Sequence, residues 1–193
     1  MKKNNMEEVK LLAHPQVFDK KIADGEDVGS PYTEKDLKKI FSLSLSKEPQ
    51  WITAKMVFLG EIPRITDFEN KEPIGVFYDE TCQVPDFVSD DSAIVYKSER
   101  GLVIITGCSH AGICNIIAYA KKICSDNRVC SIIGGMHLLD TKKEILQKAV
   151  DFMEKCNIKE IYPCHCTDLN AKITMAKKLP VRDLGVSSIF SYK

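Results

Sequence analysis

GLVIITGCSHAGICNII, residues 101–117, is the stretch on which the fold turns. Residues 102–106 are apolar or β-branched throughout and carry no charge, as in a strand buried on both faces. Gly107-Cys108-Ser109-His110 breaks that run. From Gly112 to about Cys124 the apolar residues recur at helical spacing, with Ile113, Ile116, Ile117 and Ala120 on one face. Strand, short polar turn and helix open a β-α unit, and the pattern then repeats. An apolar strand over 129–133 runs into Gly134-Gly135-Met136-His137. An amphipathic helix over 142–156 follows, with Ile145, Ala149, Phe152 and Met153 as its inner stripe. A strand over 160–163 ends just before His165, a helix spans 170–178, and 186–190 reads as a closing strand. On the other side, 93–97 pairs with 102–106 across Ser98-Glu99-Arg100-Gly101, a hairpin signal. This alternation predicts an α/β layered fold.

The first half is less regular. Residues 9–13 read as a short strand stopped by His14-Pro15. A helix over 33–41 begins at Thr33, with Asp36 at the capping-box position. Short strands fill 50–64 with a break at Gly60. The acidic stretch 68–91, which includes Pro73 and Pro85, reads as a loop or an excursion from the core.

Composition narrows the function. The chain has 193 residues, 44% hydrophobic and 28% charged, with a formal net charge of zero. No basic face or tail points to nucleic acid. No apolar run approaches the roughly 20 residues of a membrane span. Met1-Lys2-Lys3-Asn4-Asn5 has no apolar segment behind it, so a cytoplasmic protein is expected. Of eight cysteines none forms C-x-x-C, and Cys124, Cys130 and Cys156 fall inside apolar runs, where a free thiol behaves as a small hydrophobe. A reduced set is expected.

Three of the four histidines, His110, His137 and His165, each follow an apolar strand and a small residue. In layered α/β folds that strand edge is where ligands bind. A lone histidine there is usually a hydrogen-bonded loop residue, but three placed alike suit a metal. His14 has no such setting and is assigned a structural role. Cys108 precedes a helix start, so it is either a lowered-pKa nucleophile or a buried small hydrophobe. Ser109 and the amides of Ala111 and Gly112 could bind an anion at that helix start, or simply cap the loop. Glu61 and Arg64 read as an exposed ion pair. A thiol-redox role for Cys164 and Cys166 ranks last, because Cys-His-Cys suits a metal loop better.

Taken together, Gly107-Cys108-Ser109-His110-Ala111-Gly112, Gly134-Gly135-Met136-His137-Leu138 and His165-Cys166-Thr167 resemble one branch of the metallo-β-lactamase superfamily, the dihydropterinyl-methyl ribofuranosylaminobenzene phosphate synthase-like proteins. Gly60-Glu61-Ile62-Pro63-Arg64 with Glu69, and Asp90-Asp91-Ser92-Ala93, fit the same pattern. The resemblance runs from about residue 9 to the end. It implies a partial αββα sandwich of mixed sheets flanked by helices, as one domain over 1–193. It also implies a divalent metal, zinc first and iron or manganese next, at a usually dinuclear site that activates a water toward a phosphoryl or acyl centre. The substrate would be a small molecule, phosphorylated in some members, with neither nucleic acid nor membrane as partner. His110 and His165 are the implied metal ligands. His137, Cys108 and Asp168 are further metal or substrate contacts, Asp168 standing where the branch usually has Gly.

One part of the family pattern is absent. No two histidines lie two apart, so the His-x-His-x-Asp-His motif is not in this chain, and 9–15 resembles the strand that follows it. The expectation is a domain truncated at its N-terminus, through an internal Met start, a split or frameshifted gene, or an engineered fragment. Each metal would keep about one of its histidines, with Cys108, Asp140, Cys164, Cys166 or Asp168 available to fill in. A dinuclear centre is then expected to be weak or absent in this chain alone, and the uncovered face to favour self-association. Two readings compete: a metal-dependent, hydrolase-like enzyme that is incomplete or inactive as this chain alone, and a non-catalytic remnant or partner subunit.

Overall fold

In the computed structural model, which describes residues 9–79 and 82–193, short strands build the first half. These are β1 (Lys10–Ala13), β2 (Lys20–Ala23) and β3 (Glu26–Asp27), then helix α1 (Glu34–Leu37), then β4 (Ser42–Leu45), β5 (Gln50–Thr53), β6 (Met56–Phe58), β7 (Gly75–Tyr78) and β8 (Gln83–Asp86). The second half alternates: β9 (Ala93–Ser98), β10 (Gly101–Thr106), α2 (Ile113–Cys124), β11 (Val129–Gly134), α3 (Lys143–Lys155), β12 (Glu160–Pro163) and α4 (Leu169–Ala176).

The central sheet has the order β12-β11-β10-β9-β6-β5. β10, β11 and β12 run parallel, whereas β9, β6 and β5 are added antiparallel. Right-handed crossovers between neighbouring parallel strands put α2 and α3 on one face. There Ile113, Ile116 and Ile117 of α2 and Leu146, Ala149 and Met153 of α3 share a core with Leu102, Ile104 and Ile161. Ile145 and Phe152, expected on the inner stripe of α3, sit at its margin, and Leu146 and Val150 take the buried places.

Two expectations are corrected. Residues 68–91 are not simply a loop. β7 and β8 form an antiparallel hairpin, and β7 pairs with β2 in a four-stranded sheet of order β3-β2-β7-β8. Pro85 is compatible with β8 because β8 is an edge strand, where a missing N–H leaves no ladder bond unmade. Residues 186–190 are not a strand. The free edge of β12 is taken by 180–182, through Ile161 N–H to Pro180 O (3.1 Å) and Arg182 N–H to Ile161 O (2.8 Å). The tail instead lays Phe190 against Tyr162, 4.6 Å between ring centroids, and the Tyr192 hydroxyl bonds Ser131 Oγ at 3.0 Å. The helix expected over 33–41 keeps its Thr33 cap, with Asp36 N–H donating to Thr33 Oγ1 at 3.2 Å, but shortens to Glu34–Leu37. The chain then turns so that β4 can pair in parallel with β1.

α2 is capped from a distance. Its N-cap Gly112 has φ +96° and no side chain to offer. Glu69, buried in the preceding segment, accepts Cys114 N–H at 2.9 Å on one carboxylate oxygen and Asn115 N–H at 3.0 Å on the other. A negative group there is favoured by the helix dipole. A Cβ on Gly112 would lie 2.4 Å from Glu69 Oε2, so the cap requires glycine both for space and for backbone conformation. Asn115 ties the same segment down by accepting Ile65 N–H and Thr66 N–H, both at 2.9 Å. Glu69→Gln turns one acceptor oxygen into a donor facing a buried amide. Urea unfolding should show a loss of about 1–3 kcal/mol, and an unchanged midpoint would refute the cap.

Candidate functional site

Parallel strands end on the same side, so β10, β11 and β12 deliver their following loops to one sheet edge. The loops are clasped by backbone. Gly135 N–H donates to Gly107 O (2.8 Å), Cys164 N–H to Gly134 O (3.1 Å) and Leu138 N–H to Cys166 O (2.7 Å). Thr106 Oγ1 and Ser109 Oγ both donate to Gly135 O, at 2.9 and 2.6 Å. The approach is so close that a Cβ on Gly135 would stand 2.4 Å from Gly107 O and 2.6 Å from His165 O. Ser109, His137 and Cys166, one in each loop, adopt left-handed backbone with φ of 64°, 50° and 51°. Non-glycine residues there carry strain of about 1–3 kcal/mol each, and such strain clusters at functional sites.

Within this edge, one nitrogen of His165 and the sulfurs of Cys108 and Cys166 all lie within 4.8 Å of one another. His110 is outside that group. Its ring packs on His137, with centroids 4.4 Å apart and planes tilted by 53°. The buried Nδ1 of His110 has no hydrogen-bond partner. Burial holds both imidazoles below the ordinary histidine range; for His110 the charges of Asp90 and Asp86 oppose this, and for His137 its neighbour His110 reinforces it. His110 borders two cavities. One, of about 370 Å³, is also lined by His137, Phe68, Lys71, Leu139 and Lys142. The other, of about 360 Å³, runs along Lys21, Asp86 and Asp90, which form a largely buried ion-pair cluster.

Several site residues fall elsewhere than sequence reasoning put them. The anion position at the start of α2 is filled by the chain's own acids. Besides Glu69 on Cys114 and Asn115, Asp91 Oδ2 accepts Ala111 N–H at 2.9 Å, and Gly112 N–H goes to Ser109 O at 3.0 Å. Ser109 and Gly112 both line the cavity of about 370 Å³. Asp168 is the N-cap of α4: its oxygens accept Ala171 N–H (2.7 Å) and Asp140 N–H (2.8 Å), and these bonds hold its carboxyl below the usual range. It does not join the donor group. Burial, then hydrogen bonding with Cys166, pushes the Cys108 thiol up to about 11, the reverse of an activated nucleophile. Glu61 does not pair with Arg64. It meets His14 Nε2 at 3.3 Å, while Arg64 donates to the carbonyls of Ile62 and Val88. Asn70, which sequence reasoning passed over, holds His110 in place by donating to its carbonyl at 2.9 Å. Nothing in its position along the sequence marks it.

A cluster of two thiols and an imidazole fits a divalent ion. No family model matches the chain. The fold is that of Tm1679, a metal-dependent hydrolase of the β-lactamase superfamily, whose crystal structure superposes with a TM-score of 0.85 over 95% of this chain and 72% of that one, at 22% identity. In sequence the chain is similar to the 7,8-dihydropterin-6-methyl-4-(β-D-ribofuranosyl)-aminobenzene-5′-phosphate synthase of Methanocaldococcus jannaschii, with 32% identity over 174 residues, 86% of this chain and 59% of that protein. An uncharacterised protein of the same organism is 30% identical over 169 residues, 87% of this chain and 62% of its own length. The chain thus spans about three-fifths of the length of these relatives. Among the described residues no helix is long and apolar enough to cross a membrane.

Two outcomes are expected. Gly135→Ala should force the loops carrying Cys108 and His165 apart and lower stability by more than about 2 kcal/mol in urea unfolding; a neutral result would mean the clasp is not tight. His14 is buried, and that burial holds it below its ordinary value of 6.5 despite its bond to Glu61. The unfolded chain therefore takes up a proton that folded His14 resists. His14's contribution is complete above about pH 6.5 and declines as the pH falls below it. His14→Gln should flatten the fall in urea midpoint between about pH 7.5 and about pH 5.5, and an equally steep fall in the variant would exclude His14 as its source.

Proposed function

We propose that this chain carries the metal-binding and substrate-facing part of a metal-dependent enzyme acting on a small phosphorylated compound. One observation carries the reading: Cys108, His165 and Cys166 meet within 4.8 Å at the sheet edge whose neighbouring loop residues His110 and His137 line a cavity of about 370 Å³. That volume suits a small-molecule ligand. Cys108, His165 and Cys166 would hold the ion. When bound, such an ion supplies Lewis-acid polarisation of a substrate oxygen.

The remaining work falls to the chain's own side chains. The neutral His110–His137 pair lines the cavity and can donate to an anionic oxygen. Lys71 and Lys142 line it together with Glu72 and Asp140, and Phe68, Leu139 and Ile145 offer apolar wall for a ring. The fold alone does not choose between hydrolysis and bond formation. The relative above 30% identity is named as a synthase of a 5′-phosphate, which favours phosphorylated substrates and a synthase-type reaction over simple hydrolysis.

The probe is 4-(β-D-ribofuranosyl)-aminobenzene 5′-phosphate, compared with its dephosphorylated form, each titrated into the chain with Zn²⁺ or Mn²⁺ present. Calorimetry should show the phosphorylated form binding at least about tenfold more tightly, and His137→Ala should erase most of the difference. Equal affinity for the two forms would defeat the reading.

A further inference from the structure

We infer that Cys108, His165 and Cys166 form a single-ion site of Cys₂His type, assembled wholly by this chain, that takes a thiophilic tetrahedral ion such as Zn²⁺ and leaves its fourth position open. The inference rests on the proposed metal dependence and goes further, since it fixes which donors hold the ion, how many ions there are, and of what kind.

Distance comes first. Zinc binds sulfur at about 2.3 Å and imidazole nitrogen at about 2.0–2.1 Å, so tetrahedral donors stand about 3.3–3.8 Å apart. The three donor atoms here lie within 4.8 Å, so a contraction of about 1 Å closes the set around an ion. The loops are already arranged for it. Cys108 follows β10 by two residues, as His165 follows β12. Cys166 is held in left-handed backbone while its carbonyl is bound by Leu138 N–H. A left-handed cysteine is strained, and a bond from its sulfur to an ion would repay the strain.

Donor chemistry comes second. Two thiols and an imidazole select zinc-like ions over manganese or magnesium, which prefer oxygen. Three acids near this edge are committed elsewhere, and Asp140 is not in the donor group. Asp91 holds the Ala111 amide, Asp168 caps α4 and Glu69 caps α2. His110 is outside the donor group, its ring against His137. His165 is exposed, so the fourth position faces solvent.

Cobalt(II) tests this without relying on turnover. The chain, fully reduced and freed of metal, is titrated with Co²⁺. One equivalent should bind, with tetrahedral visible bands and a sulfur-to-cobalt charge-transfer band in the near ultraviolet, and Zn²⁺ should displace it. Cys166→Ser should cut the charge-transfer intensity by about half and weaken binding at least tenfold. Cys82→Ser, on the β7–β8 hairpin, should change neither. Circular dichroism of the apo-variants checks that Cys108→Ser and Cys166→Ser fold, and His165→Ala, which leaves both thiols in place, gives a second route to the loss. Cobalt bound without the charge-transfer band overturns the thiolate site while leaving metal dependence standing. Two equivalents, or none retained by the wild type, overturn the single-ion site. The phosphate-binding comparison, run also with Mn²⁺, fails or succeeds independently of all these outcomes.

Discussion

Glu69 places a buried carboxylate between two amides of α2, and much of the functional edge depends on that contact. The segment that carries it is also bound to the helix through Asn115. From this anchored segment Asn70 reaches the carbonyl of His110, and Arg64 reaches the carbonyls at 87–88, where Val88 is itself left-handed. His110 is thus positioned less by its own strand than by a neighbouring loop that the helix N-terminus holds. Burial pushes the Glu69 carboxyl upward, and the two amides and Thr66 pull it back. The cap tolerates a buried acid only because helix amides, otherwise without partners, need it.

The second half of the fold was legible because its elements carry strong, unmixed signals. β10 and β11 are parallel and covered on both faces over most of their length, so they read as continuous apolar runs. α2 and α3 read by their stripes. What stayed hidden depended on partners distant in sequence. Gly75–Tyr78 and Gln83–Asp86 look like loop because the hairpin is short, acidic and half-exposed; it becomes sheet only by pairing with Lys20–Ala23. Residues 186–190 have the composition of a strand, but the edge they would have joined is already taken by 180–182.

The candidate site divides along the same line. Which residues reach the edge could be read from strand ends followed by small residues. Which of them meet could not. Cys166 enters the donor group because one residue turns left-handed, and that turn is fixed by a bond to Leu138 in a different loop. Asp168, two positions on, looks equally able to bind a metal, yet the start of α4 claims it. The amides of α2 looked ready for a substrate anion, and the chain's own acids occupy them.

The clasp and the donor atoms are set by different parts of the loops. The positions of the three loops are set by main-chain contacts at Gly107, Gly134 and Gly135, which are indifferent to the side chains that follow. Donor identity is then free to vary without disturbing the clasp. In this chain three acids near the edge serve as structural anchors, and the atoms left facing one another are two sulfurs and an imidazole nitrogen. Carboxylates held on helix amides are oriented by those bonds and do not stand among the three donor atoms. The softness of the site thus follows from how the fold is held together.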